Sequence, residues 1–294
     1  MKVKKIIARL TIFFIGLPAV AALVLFLPWR QNLVLNIVAV IASGIGALEF
    51  SSMLRKKNIR VTKIESFILG CLTPAAITLT ISFPHLFPAW IITCFLMLGA
   101  GWSLMSGIFT CKSELENVLN RVIGRFALLI YPGFFVYWVI KMNIWGNSYI
   151  ILLFLLITFA CDSIAWFFGT LFGENNRGLI AVSPNKSIAG FIGGLLGSVI
   201  IAACAAFFFP GFFFTGHSIY SLPLLFPAIL LGFLTGIAAM LGDLAESAIK
   251  RSCDFKDSGK LIFGRGGVLD SIDSIAAAAP VFYMLYYFLF ANII

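Results

Sequence analysis

Nine apolar runs, most of them about 20 residues long, account for most of this 294-residue sequence, and each is bounded by charge or by Gly and Pro turns. A helix needs about 20 apolar residues to cross the hydrocarbon core of a bilayer. We place the runs at residues 6–27, 33–53, 64–83, 88–106, 122–140, 149–171, 189–214, 221–242 and 275–293. The chain is 61% hydrophobic and 11% charged, whereas soluble domains average about 45–50% and about 25%. The pattern predicts an all-α polytopic integral membrane protein with about nine spans and excludes a soluble globule, a disordered chain and a nucleic-acid-binding arm.

The basic residues indicate how this arrangement is oriented. If the N-terminus is cytoplasmic, the outer loops contain only Arg30 and Lys141 of the 21 lysines and arginines. Cytoplasmic loops of membrane proteins carry an excess of these residues, so the N-terminus is predicted inside and the C-terminus outside. The triplet Ala19-Val20-Ala21 in the first run could mimic the cleavage site of a signal peptide, but the apolar run continues well past it, and we interpret it as an uncleaved first helix. The six cysteines have no CxxC spacing, so neither a disulfide framework nor a zinc site is predicted.

Acidic residues concentrate between the eighth and ninth spans. Six of the 12 lie there, and they are Asp243, Glu246, Asp254, Asp257, Asp270 and Asp273. If the eighth helix continues, Asp243, Glu246, Ser247 and Lys250 share one face at its cytoplasmic end. Asp270 and Asp273 are likewise one turn apart at the entry to the ninth helix.

This set of side chains is rich in oxygen and lacks histidine, which suits Mg²⁺ better than zinc. Gly264, Gly266 and Gly267 would allow a ligand to approach the backbone closely, and amides at the start of the ninth helix would face an anion. Acids for a metal beside bases for phosphate indicate phosphoryl or nucleotidyl transfer.

The competing interpretation is that a cytoplasmic loop is simply charged, and we favour it for Asp254 and Lys260. Asp243, Asp270 and Asp273 border apolar spans, where an acid needs a partner or a function. Asp162 lies in or at the end of the sixth span and is either a functional acid or part of a buried pair with a lysine. Glu49, at the inner end of the second span, is either functional or interfacial.

The order of residues in this segment resembles a known signature. It contains Ser247, Lys250-Arg251, Lys256-Asp257, Gly259, Gly264, Gly266-Gly267, Asp270 and Asp273, after a lead-in of Gly242-Asp243-Leu244 and Glu246. This is similar to the signature of the phosphatidate cytidylyltransferase family, whose members are also called CDP-diacylglycerol synthases. Asp162, Ala165, Trp166 and Gly169, and then Ser183-Pro184, Lys186, Ser187 and Gly190, resemble two upstream segments of that family. Together the matches cover roughly residues 160–275.

The chain also departs from the family pattern. Ser271 replaces an arginine of the family's Asp-Arg-x-Asp, and Asn185 replaces a lysine of the upstream turn. Arg265 supplies a cation six residues before Ser271. These differences leave open a catalytically inactive relative.

The resemblance implies a function that needs no histidine base. The family joins CTP and phosphatidic acid into CDP-diacylglycerol and pyrophosphate, with the lipid phosphate attacking the α-phosphorus of CTP. The implied cofactor is Mg²⁺, with a second cation left open, and the implied partners are CTP, phosphatidic acid and membrane lipids; nucleic acid is not expected, and a homodimer is left open. The implied location is the cell (inner) membrane with the site on the cytoplasmic side.

The resemblance assigns roles residue by residue. The implied metal ligands are Asp243, Glu246, Asp270 and Asp273, and the implied catalytic residues are Asp243, Lys250, Lys256, Asp270 and Asp273. The implied substrate-binding residues are Ser247, Arg251, Gly264, Arg265, Gly266, Gly267, Lys186 and Asp162. We expect a single transmembrane domain over 1–294, with N-terminal helices in 1–150, catalytic helices in 151–294 and the signature loop at 243–274.

Two other classes remain open from the residues alone. A CDP-alcohol phosphatidyltransferase or prenyltransferase also uses clustered aspartates with Mg²⁺, although with a denser motif. An ion-coupled transporter could line its path with intramembrane acids such as Asp162 and Asp243, but such proteins carry inverted repeats and midplane sites.

Overall fold

The computed structural model describes residues 16–108, 112–178, 180–213, 224–262 and 266–291, and these are almost entirely helical. The α-helices are α1 Leu17–Phe26, α2 Trp29–Lys56, α3 Lys63–Ser82, α4 Trp90–Met105, α5 Val118–Leu128, α6 Phe135–Lys141, α7 Ser148–Leu171, α8 Ile188–Phe208, α9 Leu225–Ser252 and α10 Leu269–Tyr286. Short 3₁₀ segments cover Lys112–Asn117, Met142–Trp145 and Pro210–Phe212, and π-helical turns cover Leu129–Phe134 and Tyr287–Ala291. The described part contains no strand beyond two isolated bridges.

Seven helical segments in the described part are long and apolar enough to cross a membrane. They are Trp29–Lys56, Lys63–Ser82, Leu115–Trp145, Ser148–Leu171, Ile188–Phe208, Leu225–Ser252 and Leu269–Phe290. These match seven of the nine predicted runs, and the all-α polytopic prediction is confirmed. The fourth predicted run forms α4, which at 16 residues is shorter than a full span. The first run is described only from residue 16 onward, so the count of nine and the orientation of the termini stay predictions.

The contacts divide the chain into two compact units. Unit 1 contains Met1–Gly146 and Ser252–Ile272, and unit 2 contains Asn147–Arg251 and Asp273–Ile294. The division between the units falls within α9 and within α10 along the sequence. Residues 252–272 of the signature loop, with Asp270, therefore belong to unit 1, whereas Asp243, Glu246 and Asp273 belong to unit 2.

In unit 1, small residues bring α2 and α3 together. A Cβ added at Gly70 would meet the Cβ of Ala47 at 2.5 Å and the carbonyl oxygen of Ser43 at 2.9 Å. The Ser43 hydroxyl lies 2.7 Å from the Gly70 carbonyl oxygen and 2.6 Å from that of Pro132. Pro74 has no N–H to donate to the Gly70 carbonyl one turn before it, and the Ser43 hydroxyl replaces the missing donor.

In unit 2, glycines on α8 face α7. A Cβ at Gly194 would lie 2.9 Å from the carbonyl oxygen of Cys161, and one at Gly190 would lie 2.9 Å from that of Ala165. Small residues at such spacing let helix backbones approach within a membrane, where packing replaces the hydrophobic effect as the driving force. The close approach sets α7, which carries Asp162, against α8.

Candidate functional site

The signature loop in unit 1 is closed by Asp270, in the first turn of α10. Its Oδ2 accepts hydrogen bonds from the backbone N–H groups of Ser258 and Gly267, both at 2.8 Å. In return, the Asp270 N–H donates to the Ser258 hydroxyl at 3.2 Å. Asp270 therefore organises the loop, in addition to any role toward a ligand.

A tight turn precedes this helix. Ile262 and Gly266 exchange two backbone hydrogen bonds of 2.8 and 3.0 Å. Gly266 has φ of +115°, a conformation that side-chain-bearing residues avoid, and a Cβ there would also meet Asp270 Oδ2. Gly264 and Arg265, both predicted to bind substrate, lie outside the described residues.

The amides at the start of α10, which were expected to face an anion, donate to carboxylates of the protein. Gly267 N–H is bonded to Asp270, while Val268 and Leu269 N–H donate to Glu49 of α2 at 3.0 and 2.9 Å. The anion at the start of α10 is therefore Glu49. Sequence analysis left the role of Glu49 undecided.

Four acids meet in unit 2, and we call Asp162, Asp243, Glu246 and Asp273 the acidic cluster. They come from α7, α9 and α10, and the carboxylate of Asp273 interacts electrostatically with the other three. Asp273 is 4% exposed and Glu246 is fully buried. Ser274, which sequence analysis missed, donates its hydroxyl to Asp162 Oδ1 at 3.3 Å.

Close packing of α9 against α10 places two of these acids. A Cβ at Gly242 would collide with the Cβ of Ala277 and would lie 2.8 Å from the carbonyl oxygen of Asp273. Gly242 directly precedes Asp243, so the absence of a side chain at this position brings the two aspartate-bearing backbones together.

Two lysines pair with the acidic cluster. Lys186 Nζ lies 2.7 Å from Asp243 Oδ2, and Lys250 forms an ion pair with Glu246 one helical turn before it. Lys186 is held near the start of α8, where the Ser187 hydroxyl caps the helix by accepting from Gly190 N–H at 3.0 Å. Lys250 is only 9% exposed, so in this structure it balances a buried carboxylate.

The remaining predicted residues lie at the surface of their units. Ser247 is half-buried on α9, and Arg251 is exposed at the end of that helix. Lys256 and its neighbour Asp257 are exposed on the signature loop. Exposed cations of this kind remain accessible to an anionic ligand.

The acidic cluster carries the carboxylate oxygens that divalent metals such as Mg²⁺ prefer. In the part of the chain that the structure describes, no three His, Cys, Asp or Glu side chains are arranged to hold one ion. Mg²⁺ does not require such a cage, because it usually keeps several waters and binds through one or two carboxylates together with substrate phosphates. Asp243 and Asp273 supply oxygen ligands of that kind in a cluster where carboxylates outnumber lysines. The donor chemistry therefore fits Mg²⁺, with Lys186 as the group that holds Asp243 in this structure.

Known proteins similar to this chain include members of the family that the signature resembles. A phosphatidate cytidylyltransferase of Staphylococcus aureus is 30% identical over 275 residues, which cover 92% of this chain and 96% of that protein. One from Synechocystis is 29% identical over 279 residues, covering 83% and 84%. One from Haemophilus influenzae is 34% identical over 180 residues, and that match covers 59% of each chain.

The model of the cytidylyltransferase family matches residues 7–289, which include every helix that carries a predicted site residue. Because that match extends over nearly the whole sequence, the chain belongs to the cytidylyltransferase family.

Proposed function

We propose that this protein transfers the cytidylyl group of CTP to phosphatidic acid and releases CDP-diacylglycerol and pyrophosphate. The observation that carries the proposal is the match with the S. aureus phosphatidate cytidylyltransferase over 92% of this chain. The family match favours this activity over the phosphatidyltransferase and transporter interpretations. We place the reaction at the cytoplasmic face of the cell (inner) membrane, since the signature segment lies between two spans at the end richer in cations.

In the reaction, an oxygen of the lipid phosphate forms a bond to the α-phosphorus of CTP while the bond to the pyrophosphate oxygen breaks. The nucleophile is already anionic, so no residue needs to remove a proton. The main requirements are to neutralise two polyanions and to hold them in line. A cluster of acids and lysines without histidine is consistent with those requirements.

We assign roles on this basis. Lys256, Arg251 and Arg265 hold phosphate groups, and Ser247 donates a hydrogen bond to one of them. Asp243 and Asp273 hold Mg²⁺, which when bound would neutralise phosphate charge.

The other predicted residues support the side chains that bind phosphate and metal. Lys186 and Lys250 balance the acidic cluster, where Glu246 and Asp162 support the two metal ligands. Asp270 is also proposed as a metal ligand, in addition to accepting hydrogen bonds from the loop.

The test is direct. Protein purified in detergent is incubated with phosphatidic acid, CTP labelled at the α-phosphorus and Mg²⁺, and labelled lipid is measured. Diacylglycerol, which lacks the nucleophilic phosphate, is the control substrate. We expect labelled CDP-lipid only with phosphatidic acid and a large loss in Asp273→Asn. Absence of product with the unmodified protein would refute the function, and undiminished product in both Asp273→Asn and Asp270→Asn would refute the site.

A further inference from the structure

Glu49 is a buried carboxylate in the second half of α2, a helix long enough to span a membrane. Only 9% of its surface is exposed. Burying a carboxylate is costly unless it is paired or hydrogen-bonded, so its partners indicate why it is there. All of those described below belong to unit 1, as does Glu49 itself.

The Glu49 carboxylate accepts three hydrogen bonds from the signature loop and the helix that follows it. The Ser258 hydroxyl donates to Oε2 at 2.9 Å, Leu269 N–H donates to Oε2 at 2.9 Å, and Val268 N–H donates to Oε1 at 3.0 Å. Amides in the first turn of a helix have no partner within it, and a negative charge is favourable at that end. Glu49 thus caps α10 from a helix more than 200 residues away in sequence.

Two glycines of the signature make this approach possible. A Cβ at Gly267 would collide with Glu49 Oε2 and the Ser258 hydroxyl, and a Cβ at Gly259 would collide with Glu49 Oε1. Gly46 lies one turn before Glu49 on the same face of α2. A Cβ at Gly46 would be 3.4 Å from the Leu269 side chain, so α10 begins directly against this face.

Ser258 connects Glu49 to Asp270. Its hydroxyl donates to Glu49 and accepts from Asp270 N–H, while its own N–H donates to Asp270 Oδ2. Loss of the Glu49 carboxylate would therefore release Ser258 as well as two amides of the helix. Losing the carboxylate would therefore disturb Asp270 through Ser258, even though Glu49 need not touch a substrate.

We propose that Glu49 is a positioning residue for cytidylyl transfer, which holds residues 258–262 and 266–270 in the conformation that orients Asp270 and the adjoining Lys256 segment. This proposal rests on the proposed function. Glu49 acts through the loop and is not itself a catalytic residue.

The experiment compares Glu49→Gln and Glu49→Asp with Glu65→Gln in the purified full-length protein. Glu65 is the matched control, because it is also a carboxylate of unit 1 with a side chain only 11% exposed, but it bonds Arg125 and Trp102, far in sequence from the loop. Two measurements are made: kcat and KM for labelled CDP-lipid synthesis, and the rate of tryptic cleavage after Lys256 and Lys260. The cleavage rate reports local opening of the loop and does not depend on the activity.

For Glu49→Gln we expect a kcat about 10- to 100-fold lower, with a smaller change in KM, because misplacement of reacting groups costs that much in rate. Tryptic cleavage after Lys256 and Lys260 should accelerate about tenfold. Glu49→Asp keeps the negative charge, so it should retain part of the wild-type kcat and part of the wild-type resistance of the loop to trypsin. Glu65→Gln should leave kcat and loop cleavage near those of the unmodified protein.

Wild-type cleavage and wild-type kcat in Glu49→Gln would overturn the proposal, as would equal losses in Glu65→Gln. Faster cleavage with unchanged kcat would overturn the positioning role and leave only a structural one. If the unmodified protein makes no CDP-lipid, the proposed function fails and the positioning role fails with it. The cleavage result would then show separately whether Glu49 holds the loop.

Discussion

Replacing Gly242 by alanine should separate the two helices that carry Asp243 and Asp273. The new Cβ would collide with the Cβ of Ala277 and would lie 2.8 Å from the carbonyl oxygen of Asp273. Ordinary contact for such a pair begins at 3.4 Å, so the backbone of α10 must move away by at least about 0.6 Å, and further to clear the Cβ of Ala277. A backbone carbonyl in a helix cannot rotate out of the way as a flexible side chain can.

The magnitude follows from packing and from catalytic geometry. Inserting one methyl group into a tightly packed contact costs about 1–3 kcal/mol of stability. A shift approaching 1 Å between groups that act together costs up to about 100-fold in rate. We therefore expect Gly242→Ala to unfold at a lower temperature and to lose about 10- to 100-fold in CDP-lipid synthesis.

Gly101→Ala is the matched control. Gly101 also lies within a helix, but a Cβ there would meet nothing within 4 Å. The same chemical change should leave activity unaltered and raise stability slightly, because alanine is a better helix former. The assay is labelled CDP-lipid synthesis with thermal unfolding in the same detergent. A Gly242→Ala protein as stable and as active as the Gly101→Ala protein would refute the packing argument.

Three further predictions concern the same segments. Lys186→Ala should lower kcat at least about tenfold, because it leaves Asp243 without the ammonium 2.7 Å away; Lys186→Arg should retain more activity, and equal rates in both would contradict the role. Gly266→Ala should speed tryptic cleavage of the loop and cost about 1–3 kcal/mol in unfolding measurements, because φ of +115° is strained for alanine; unchanged cleavage would argue against the turn as described. Removing divalent cations with EDTA should abolish CDP-lipid synthesis and Mg²⁺ should restore it, whereas full activity in excess chelator would rule out the metal assignment.

Much of the fold could be predicted from residue pattern alone. Seven of the nine apolar runs correspond to helices long enough to span, with ends within seven residues of the predicted ones except where α9 continues to Ser252. If that helix continued, Asp243, Glu246 and Lys250 were predicted to share one face, and the ion pair of Glu246 with Lys250 lies on that face. Helix length and face are local properties, so a single sequence contains them.

The roles of the glycines and of the first amides of α10 were not predictable in the same way. Gly267 was expected to let a ligand approach the backbone, and the first amides of α10 were expected to face an anion. The groups that they meet are the carboxylates of Glu49 and Asp270. The sequence pattern showed that the backbone must be approached closely there. It contained no information on which group approaches.

The sequence by itself determined that this chain is a helical membrane protein of the cytidylyltransferase family, because the length of apolar runs and the spacing of motif residues are properties of the linear sequence. Only the tertiary structure decided which charges meet. Asp162 and Asp273 are 111 residues apart, and Glu49 is more than 200 residues from the amides that it caps. A carboxylate in an apolar environment must find donors or cations wherever the packing of helices places them, and that packing depends on long-range contacts such as the one at Gly242.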